Sequence, residues 1–575
     1  MALAHTVNHN SLQSPKIVRT PILFITKSSP IEKLLFSAIL FFFLIGLILI
    51  VERVSNAFSV RIPIQGGILN EGIVGFPSNV NPVTARSNAD YDLVALSYSG
   101  LVRVDENGEM IPDLAESFSI SDDGETYTFT LRNDIYFHDN TPITANDIVF
   151  TIESIQNPAM ESPLSSVFST VTATAVDPMT VSIELQNPYA GFLSEMTIGI
   201  IPQHIWEGVT PDSLRFIELS SYPVGSGPFK VEKVERSESL GVPTHYSLVA
   251  HTEYAPKRPY LNSIKLSFYA DESELIDALE RNRINSAPAV SPSLLAELNL
   301  KPRELATTSM LRIFGLFFNP SETSILSNES VRRAIDMAID REMLAESIYS
   351  GYAKPTRTPL PFDKPADVTE DSLGARELLE TEGWEENSET GIREKDSETL
   401  SFTIKTGETS DLKNTAIFLQ QTLRSIGIEV TIETYDITTL NQTVIRQRDY
   451  EALLFGQAYG RFIDLYPFWH SSNRDDPGLN IARHTSSDTD EALVALRRET
   501  DENIREGYFE EILDEFSETT PAAFLYTPDF VYIKDERINN IKIPPVERSS
   551  DRFSNIEEWF IHSDSVWKIF LDTQQ

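Results

Sequence analysis

The chain has 575 residues, 41% of them hydrophobic and 23% charged, a composition that folds and a length that divides into more than one lobe. Its 47 basic and 85 acidic residues leave a net charge of −38, which repels phosphate backbones and excludes nucleic acid as an expected partner. There is no cysteine, so disulfides, thiolate catalysis, Cys-ligated metal centres and a lipidated N-terminal Cys are excluded.

Residues 34–51 (LLFSAILFFFLIGLILIV) carry no charge. As a helix they span about 27 Å, close to the thickness of bilayer hydrocarbon. No polar stripe interrupts them, as a buried core helix of that length would require. Lys16, Arg19, Lys27 and Lys33 precede the span against one acid, Glu32, while Glu52 and Arg53 beyond it cancel. The positive-inside rule then makes 1–33 a cytoplasmic tail, 34–51 a single transmembrane anchor, and everything after it extracytoplasmic. The alternative is a cleaved leader ending at the small residues of Ser55-Asn56-Ala57. Leader cores run about 7–15 residues, shorter than this one. Either way the body is exported.

Beyond the anchor, residues 126–132 (TYTFTLR) alternate polar and apolar and predict a half-buried strand, with Asp122-Asp123-Gly124 as the turn before it. Residues 180–185 (TVSIEL), opened by Asp177-Pro178, and 263–268 (SIKLSF) predict two more. Across 331–349, Val331, Ala334, Ile335, Ala338 and Ile339 fall on one helix face, with Asn328 or Ser327 as cap. Residues 375–379 and 415–426 predict further amphipathic helices, and 382–399 a polar surface loop. Residues 504–516 predict a helix, followed by Pro521 and a strand over 523–533. Mixed elements without a repeat predict an α/β (mixed α+β) protein rather than a solenoid or barrel.

Residues 99–150 carry, in order, Pro112, Leu114, Ala115, Ser117, Asp123, Gly124, Phe129, Leu131, Arg132, Phe137, His138, Asp139, Pro142, Ala145 and Asp147. Asn81-Pro82 precedes them. Gly225-Ser226-Gly227-Pro228-Phe229 follows, then Val331-Arg332-Arg333-Ala334-Ile335 with Ala338-Ile339-Asp340-Arg341, Pro359-Leu360-Pro361, Gly383-Trp384 and Gly391-Ile392-Arg393-Glu394-Lys395. In this order the motifs resemble the bacterial extracellular solute-binding proteins of family 5, which include oligopeptide, dipeptide and nickel binding proteins. The resemblance covers roughly residues 65–545. It departs at Asn140, where Gly is usual; Asn also tolerates positive φ.

The resemblance implies a two-lobe, periplasmic-binding-protein-like (class II) fold behind one transmembrane helix. Residues 58–97 would begin lobe one, 98–206 form a subdomain inserted in it, and 207–310 return to it. Residues 311–520 would form lobe two, and 521–575 rejoin lobe one. Two crossing strands would absorb the lobe motion. The implied function is that of a monomeric receptor for oligopeptides or similar solutes. It would need no cofactor or metal and would serve an ABC permease with its cytoplasmic ATPase. A non-transport sensor module and a cell-surface peptidase are the alternatives; the short tail before residue 34 offers no signalling domain.

By the same resemblance, residues 456–469 (GQAYGRFIDLYPFW) match a loop that lines the ligand cleft. Gly456, Gln457 and Ala458 fall at backbone-pairing positions, where strand addition gives affinity without side-chain selectivity. Asp464 falls at the acid that holds a ligand α-ammonium. Many relatives carry Asp-x-Asp-Pro here; this chain has Phe462-Ile463-Asp464-Leu465, so ligands without a free amine become admissible. Tyr459, Phe462, Tyr466 and Trp469 would wall the pocket. Arg461 would meet a ligand carboxylate. Arg86 falls near a lobe-one position that faces ligand. His138 belongs to a structural turn, and His470, next to the loop, is a further candidate. The nine histidines show no HExxH spacing, and no GxSxG, P-loop or GxGxxG follows a strand, so no catalytic residue is expected.

Overall fold

A computed structural model describes residues 29–210, 220–255, 257–295, 298, 301, 303–361 and 369–569. They divide into two units, one of residues up to Ile64 with those from His562 onward, the other Gln65–Ile561. In the first unit, α1 (Pro30–Phe58) leads into β1 (Ser59–Ile64). β1 pairs antiparallel with the strand His562–Trp567, Ser59 opposite Trp567. Within Pro30–Val54 an 18-residue window has mean hydropathy 3.2 and is exposed, so α1 is apolar all round there and long enough to cross a membrane. It reaches beyond 34–51 at both ends. Lys16, Arg19 and Lys27, with the rest of the expected tail up to residue 28, lie outside the described residues, as do the side chains of Ser55-Asn56-Ala57.

Within Gln65–Ile561, β2 (Ile68–Val74) comes first and α2 (Asn88–Ser97) follows. A capping box starts α2: Ser87 accepts from the Asp90 N–H, and Asp90 accepts from the Ser87 N–H. The chain then builds an antiparallel sheet from β3 (Ala115–Ile120), β4 (Thr126–Leu131), β5 (Val171–Asp177) and β6 (Thr180–Leu185), in the order β3-β4-β6-β5. The period-two pattern of β4 and β6 turns Tyr127, Phe129, Val181 and Ile183 inward. Helix α3 (Ala145–Gln156) supplies Ile148, Ile152 and Ile155 to the same core. Gly124 (φ 71°) and Asn140 (φ 69°) take left-handed turns, so Asn140 performs the task of the usual Gly. The short α4 (Phe192–Glu195) closes this body.

The chain returns with β7 (Phe229–Arg236), β8 (Pro243–Ala250) and β9 (Ser263–Tyr269), completing a sheet in the order β2-β9-β8-β7. Its core joins Leu69, Leu248 and Ile264 to Phe530, Tyr532 and Trp559 from near the C-terminus. A fully buried charge cluster ties the same segments. Arg552 donates to Glu71 from Nε at 2.8 Å and to both oxygens of Asp92 at 2.7 and 2.8 Å, while the Tyr532 hydroxyl donates to Glu71 at 2.6 Å.

β10 (Arg303–Ser309) and β11 (Arg312–Phe318) lead into the third body. Helices α5 (Glu329–Met337) and α6 (Arg341–Tyr349) come next, then β12 (Ser401–Gly407), α7 (Ser410–Ser425), β13 (Glu429–Tyr435) and β14 (Ala452–Ala458). Helices α8 (Ser487–Arg498) and α9 (Glu502–Thr519) precede the long β15 (Ala522–Asp535). The sheet runs β15-β11-β14-β12-β13, with β10 also paired to β15. Core membership changes along β15: Ala523, Leu525 and Tyr526 pack in the third body, Phe530 and Tyr532 under the first sheet.

Two expectations are corrected. The apolar face over 331–349 is divided between α5 and α6, because Asp340 accepts from the Met343 N–H and caps a new helix. Residues 382–399 are not a plain loop but hold three short paired strands, Glu385–Glu386, Arg393–Lys395 and Glu398–Thr399. Arg393 is 1% exposed and donates to the carbonyls of Ile426 (2.9 Å) and Trp384 (2.8 Å). A charged letter there reads as surface, yet main-chain carbonyls hold it inside.

Candidate functional site

β14 is apolar on both faces because cores cover it on both sides. Gly456 is required: a Cβ would come 2.8 Å from the Phe314 ring, which itself stacks on Tyr526 at 5.2 Å. One edge of β14 is paired to β11 along its length, and the Tyr459 N–H continues the ladder to the Leu311 carbonyl at 2.8 Å. On the other edge β12 pairs only as far as Leu454. Residues 455–458 therefore have no strand on that side among the described residues. Strand alternation turns the N–H and C=O of Gly456 and Ala458 toward this open edge.

Two cavities adjoin this strand and the loop after it. The one next to Ala458 is about 550 Å³ and is lined by Tyr459, Phe462, Asp464 and Tyr466, facing Tyr189 and Phe192. The other is about 430 Å³ and lies against Gly460 and Arg461, facing Tyr98, Arg103 and Asp113. Val167, Ser194, Glu195 and Gly460 line both, so they form one continuous cleft of ligand size.

The expected site residues divide by position. Gly456, Gln457 and Ala458 lie in β14; Gln457 is buried and accepts from the Tyr459 hydroxyl at 3.1 Å. Tyr459, Phe462, Asp464 and Tyr466 line the larger cavity. Arg461 lines the smaller one, its Nη2 2.8 Å from Asp551. Trp469 is fully buried behind the cleft against Phe317, Phe516 and Phe524 and lines neither cavity. Arg86 also lines neither; it is exposed and donates to the Glu161 carbonyl at 2.5 Å. His470 stacks on Tyr466 at 4.3 Å and bonds Ser472, outside both linings.

Asp464 already has a cation. Its Oδ2 is 3.1 Å from Arg497 Nε, and its Oδ1 accepts from the Tyr466 N–H at 3.1 Å. Burial pushes its carboxyl up, against the opposing pull of Arg497. The Arg497 guanidinium lies between the rings of Tyr189 (5.0 Å) and Tyr466 (4.9 Å), and its carbonyl accepts from the Ala190 N–H at 3.1 Å. Phe462 meets Tyr189 edge-on at 5.7 Å and carries Arg505 over its other side at 4.1 Å. The body of β3–β6 and the body of β14 thus touch through an Arg–Tyr clasp beside the cleft.

Sequence reading missed Tyr189, Glu195, Arg497 and the acidic and basic pairs of the smaller cavity. Tyr189 and Glu195 stand in no motif, and Arg497 reads as an ordinary cation in a last helical turn. Nothing in their spacing marks them.

His138 is a staple. Its ring accepts from the Gly225 N–H at Nδ1 (3.3 Å) and donates from Nε2 to the Gly227 carbonyl (3.0 Å). Burial pushes its pKa down to about 3, so it stays neutral. It joins the turn at Asn140 to the glycines of 225–229, whose backbone lies so close to Ser97 that a Cβ at Gly225 would come 1.9 Å from its carbonyl oxygen.

The comparisons agree with this architecture. The family model described as "Bacterial extracellular solute-binding proteins, family 5 Middle" matches residues 109–478. The oligopeptide-binding protein AppA of Bacillus subtilis is 26% identical over 524 residues, covering 87% of this chain and 92% of that protein. Its structure in complex with a nonapeptide superposes with a TM-score of 0.67 at 24% identity, over 87% of this chain and 100% of that one. The structure of NikZ from Campylobacter jejuni in complex with Ni(L-His) gives 0.68 at 25% identity, over 87% and 100%. The ABC transporter substrate binding protein CtaP of Listeria monocytogenes gives 0.74 at 24% identity, over 86% and 99%. With well over half of its length under the family model and a cleft between packed α/β bodies, the chain belongs to the bacterial extracellular solute-binding proteins of family 5.

Proposed function

We propose that the chain is the extracytoplasmic receptor of an ABC importer, taking an oligopeptide or similar solute between two lobes and handing it, chemically unaltered, to membrane permease subunits driven by a cytoplasmic ATPase. The open edge of β14 supports this most directly. It offers the main-chain groups of Gly456 and Ala458 to an extended ligand beside a cavity roomy enough for side chains. AppA of Bacillus subtilis, described as oligopeptide-binding, adds support at 26% identity.

On this reading Tyr459, Phe462 and Tyr466 wall the ligand, Gln457 holds Tyr459 in place, and Trp469 backs the wall from the core. Asp464 takes a ligand amine only by giving up Arg497, and Arg461 takes a carboxylate only by giving up Asp551. Arg86 acts at most at a rim. On the same reading the lobe boundaries are those expected from the sequence. Closure bends the chain between β10 and β11 and in the middle of β15, where the core changes. Helix α1 is a single-pass anchor with its N-terminus in the cytoplasm, and the receptor is a monomer.

Native mass spectrometry of the full-length chain, purified in detergent with its endogenous ligand, tests the reading. Intact peptides are expected in the bound fraction. Failure to retain any peptide from a complex pool, together with one invariant scattering profile, would overturn it; recovery of cleaved products would point to a peptidase. N-terminal sequencing tests the anchor: a mature start at Phe58 would replace it with a cleaved leader.

A further inference from the structure

Eight charged side chains line the smaller cavity: Arg103, Asp113, Glu195, Arg461, Glu547, Arg548, Asp551 and Glu557. Every cation among them is already paired. Arg103 meets Glu557, Arg461 meets Asp551 at 2.8 Å, and Arg548 meets Glu547 at 2.8 Å. Two carboxylates are left over. Asp113 is 4% exposed; it is hydrogen-bonded to Ser99, but its Oδ1 has no hydrogen-bond partner and it forms no ion pair among the described residues. Glu195 is half-buried where the two cavities join, with no hydrogen bond or ion pair to its carboxylate among the described residues. A carboxylate drawn out of water without a counter-ion is costly, and a cation restores the balance. No group of three or more His, Asp or Glu is placed to hold a metal among the described residues, so an organic cation suits the pair better than an inorganic one.

We propose that the cleft selects ligands that carry a basic group, on a peptide a Lys or Arg side chain, and that Glu195 and Asp113 are the carboxylates that receive it. This rests on the peptide-capture reading and names its specificity. Glu195 meets the basic group first, at the junction between the cavities, and Asp113 receives a second donor at the floor beside Tyr254. In the empty cleft both carboxyls are pushed up to about 7, Asp113 chiefly by burial and Glu195 by burial and the facing Glu547. Arg103 and Arg132 oppose the shift at Asp113, and Arg548 opposes it at Glu195. Arg498, exposed on the rim of the larger cavity, leaves room for a ligand carboxylate at the other end.

The test uses the full-length chain in detergent with two probes. One is a pool of synthetic octapeptides with Lys, Arg, Asp and Glu equally represented; the other is a mixture of the small amines agmatine and spermidine. Wild type is expected to enrich Lys- or Arg-bearing peptides over acidic ones roughly ten- to a hundredfold, the range for a hydrogen bond to a charged group. Glu195→Gln is expected to lose at least about tenfold of that preference while still retaining neutral peptides, and Asp113→Asn to lose less. Enrichment of acidic or neutral peptides, or a preference unchanged in both variants, would overturn the charge rule while peptide capture stands. Retention of the amines alone, lost in Glu195→Gln, would keep the charge rule and end the peptide reading. Retention of neither probe overturns both.

Discussion

Ala458→Pro tests the open edge with a single atom. The Ala458 N–H points away from β11, because Tyr459 and the alternate residues of β14 make that ladder. Proline therefore removes no bond of the sheet and sits at an edge position of the kind it tolerates. The Ala458 side chain is exposed, so the ring meets no core. What is lost is one donor to the ligand main chain, net about 1 kcal/mol, with up to about 3 kcal/mol if the ligand carbonyl is stranded without a partner. Affinity for a retained peptide should fall roughly five- to a hundredfold. Isothermal calorimetry on the full-length chain reads the loss, and the melting temperature should move little. The neighbouring Gln457→Pro is the contrast: its N–H faces β11, so it should unfold the third body. If Ala458→Pro folds normally and binds the same peptide with unchanged affinity, the ligand does not pair with this strand.

Tyr189→Ala removes one face of the clasp on Arg497 and the partner of Phe462, together worth about 1–3 kcal/mol. A larger radius of gyration by X-ray scattering is expected without ligand, and an unchanged profile would show that the clasp does not hold the lobes. Arg552→Met leaves Glu71 and Asp92 buried without their cation and should cost about 3–5 kcal/mol in denaturant unfolding, with ligand affinity retained by the folded fraction. His138 carries a pH signature. Its folded pKa of about 3 lies below the ordinary histidine value of 6.5, so the unfolded chain takes up a proton that the native chain refuses. Its share of stability is whole above pH 6.5 and drains as pH falls toward 3, at up to about 1.4 kcal/mol per pH unit. His138→Gln should be less stable at neutral pH, and its stability should fall less steeply between pH 6 and 4 than that of wild type; parallel slopes would contradict the neutral staple.

The motifs that made the fold readable are those that hold main chain. Arg332 donates to the Thr520 and Leu326 carbonyls and ties off the end of α9. Arg341, with no exposure, donates to the carbonyls of Phe524 (2.7 Å) and Thr356 (3.2 Å). Arg393 and His138 act in the same way. Each needs one residue type at one place, because only that side chain reaches those carbonyls and amides, so the letters carry the architecture. The strands over 126–132 and 180–185 were readable for a simpler reason, since each buries one face and alternates. The break between α5 and α6 was hidden because Ala338 and Ile339 continue the apolar face across it, and only the cap at Asp340 marks the new start. Arg393 misled for the opposite reason, a buried guanidinium inside a polar stretch.

The ligand side followed a different logic. A receptor that grips through the N–H and C=O of β14 asks little of the side chains there beyond a glycine where Phe314 presses in, so residues 456–458 carry almost no signature of their own. Charge behaves otherwise. Asp464 falls where the resemblance puts the ammonium counter-ion, but Arg497, thirty-three residues further on, already pairs with it. Glu195 looked like any of the 85 acids, yet among the described residues no cation reaches within bonding distance of it. Which carboxylate is free is a property of the whole set of pairs around the cavity, and each pair here joins segments far apart in sequence or hidden in a rim of acids. Selectivity in this cleft is therefore written in what remains after the arginines have paired, and replacing a pairing arginine should alter specificity as surely as replacing Glu195. Arg461→Gln, which releases Asp551 into the smaller cavity, should sharpen the preference for basic peptides in the same pool experiment, and a preference left flat or reversed would show that ligand charge is read elsewhere.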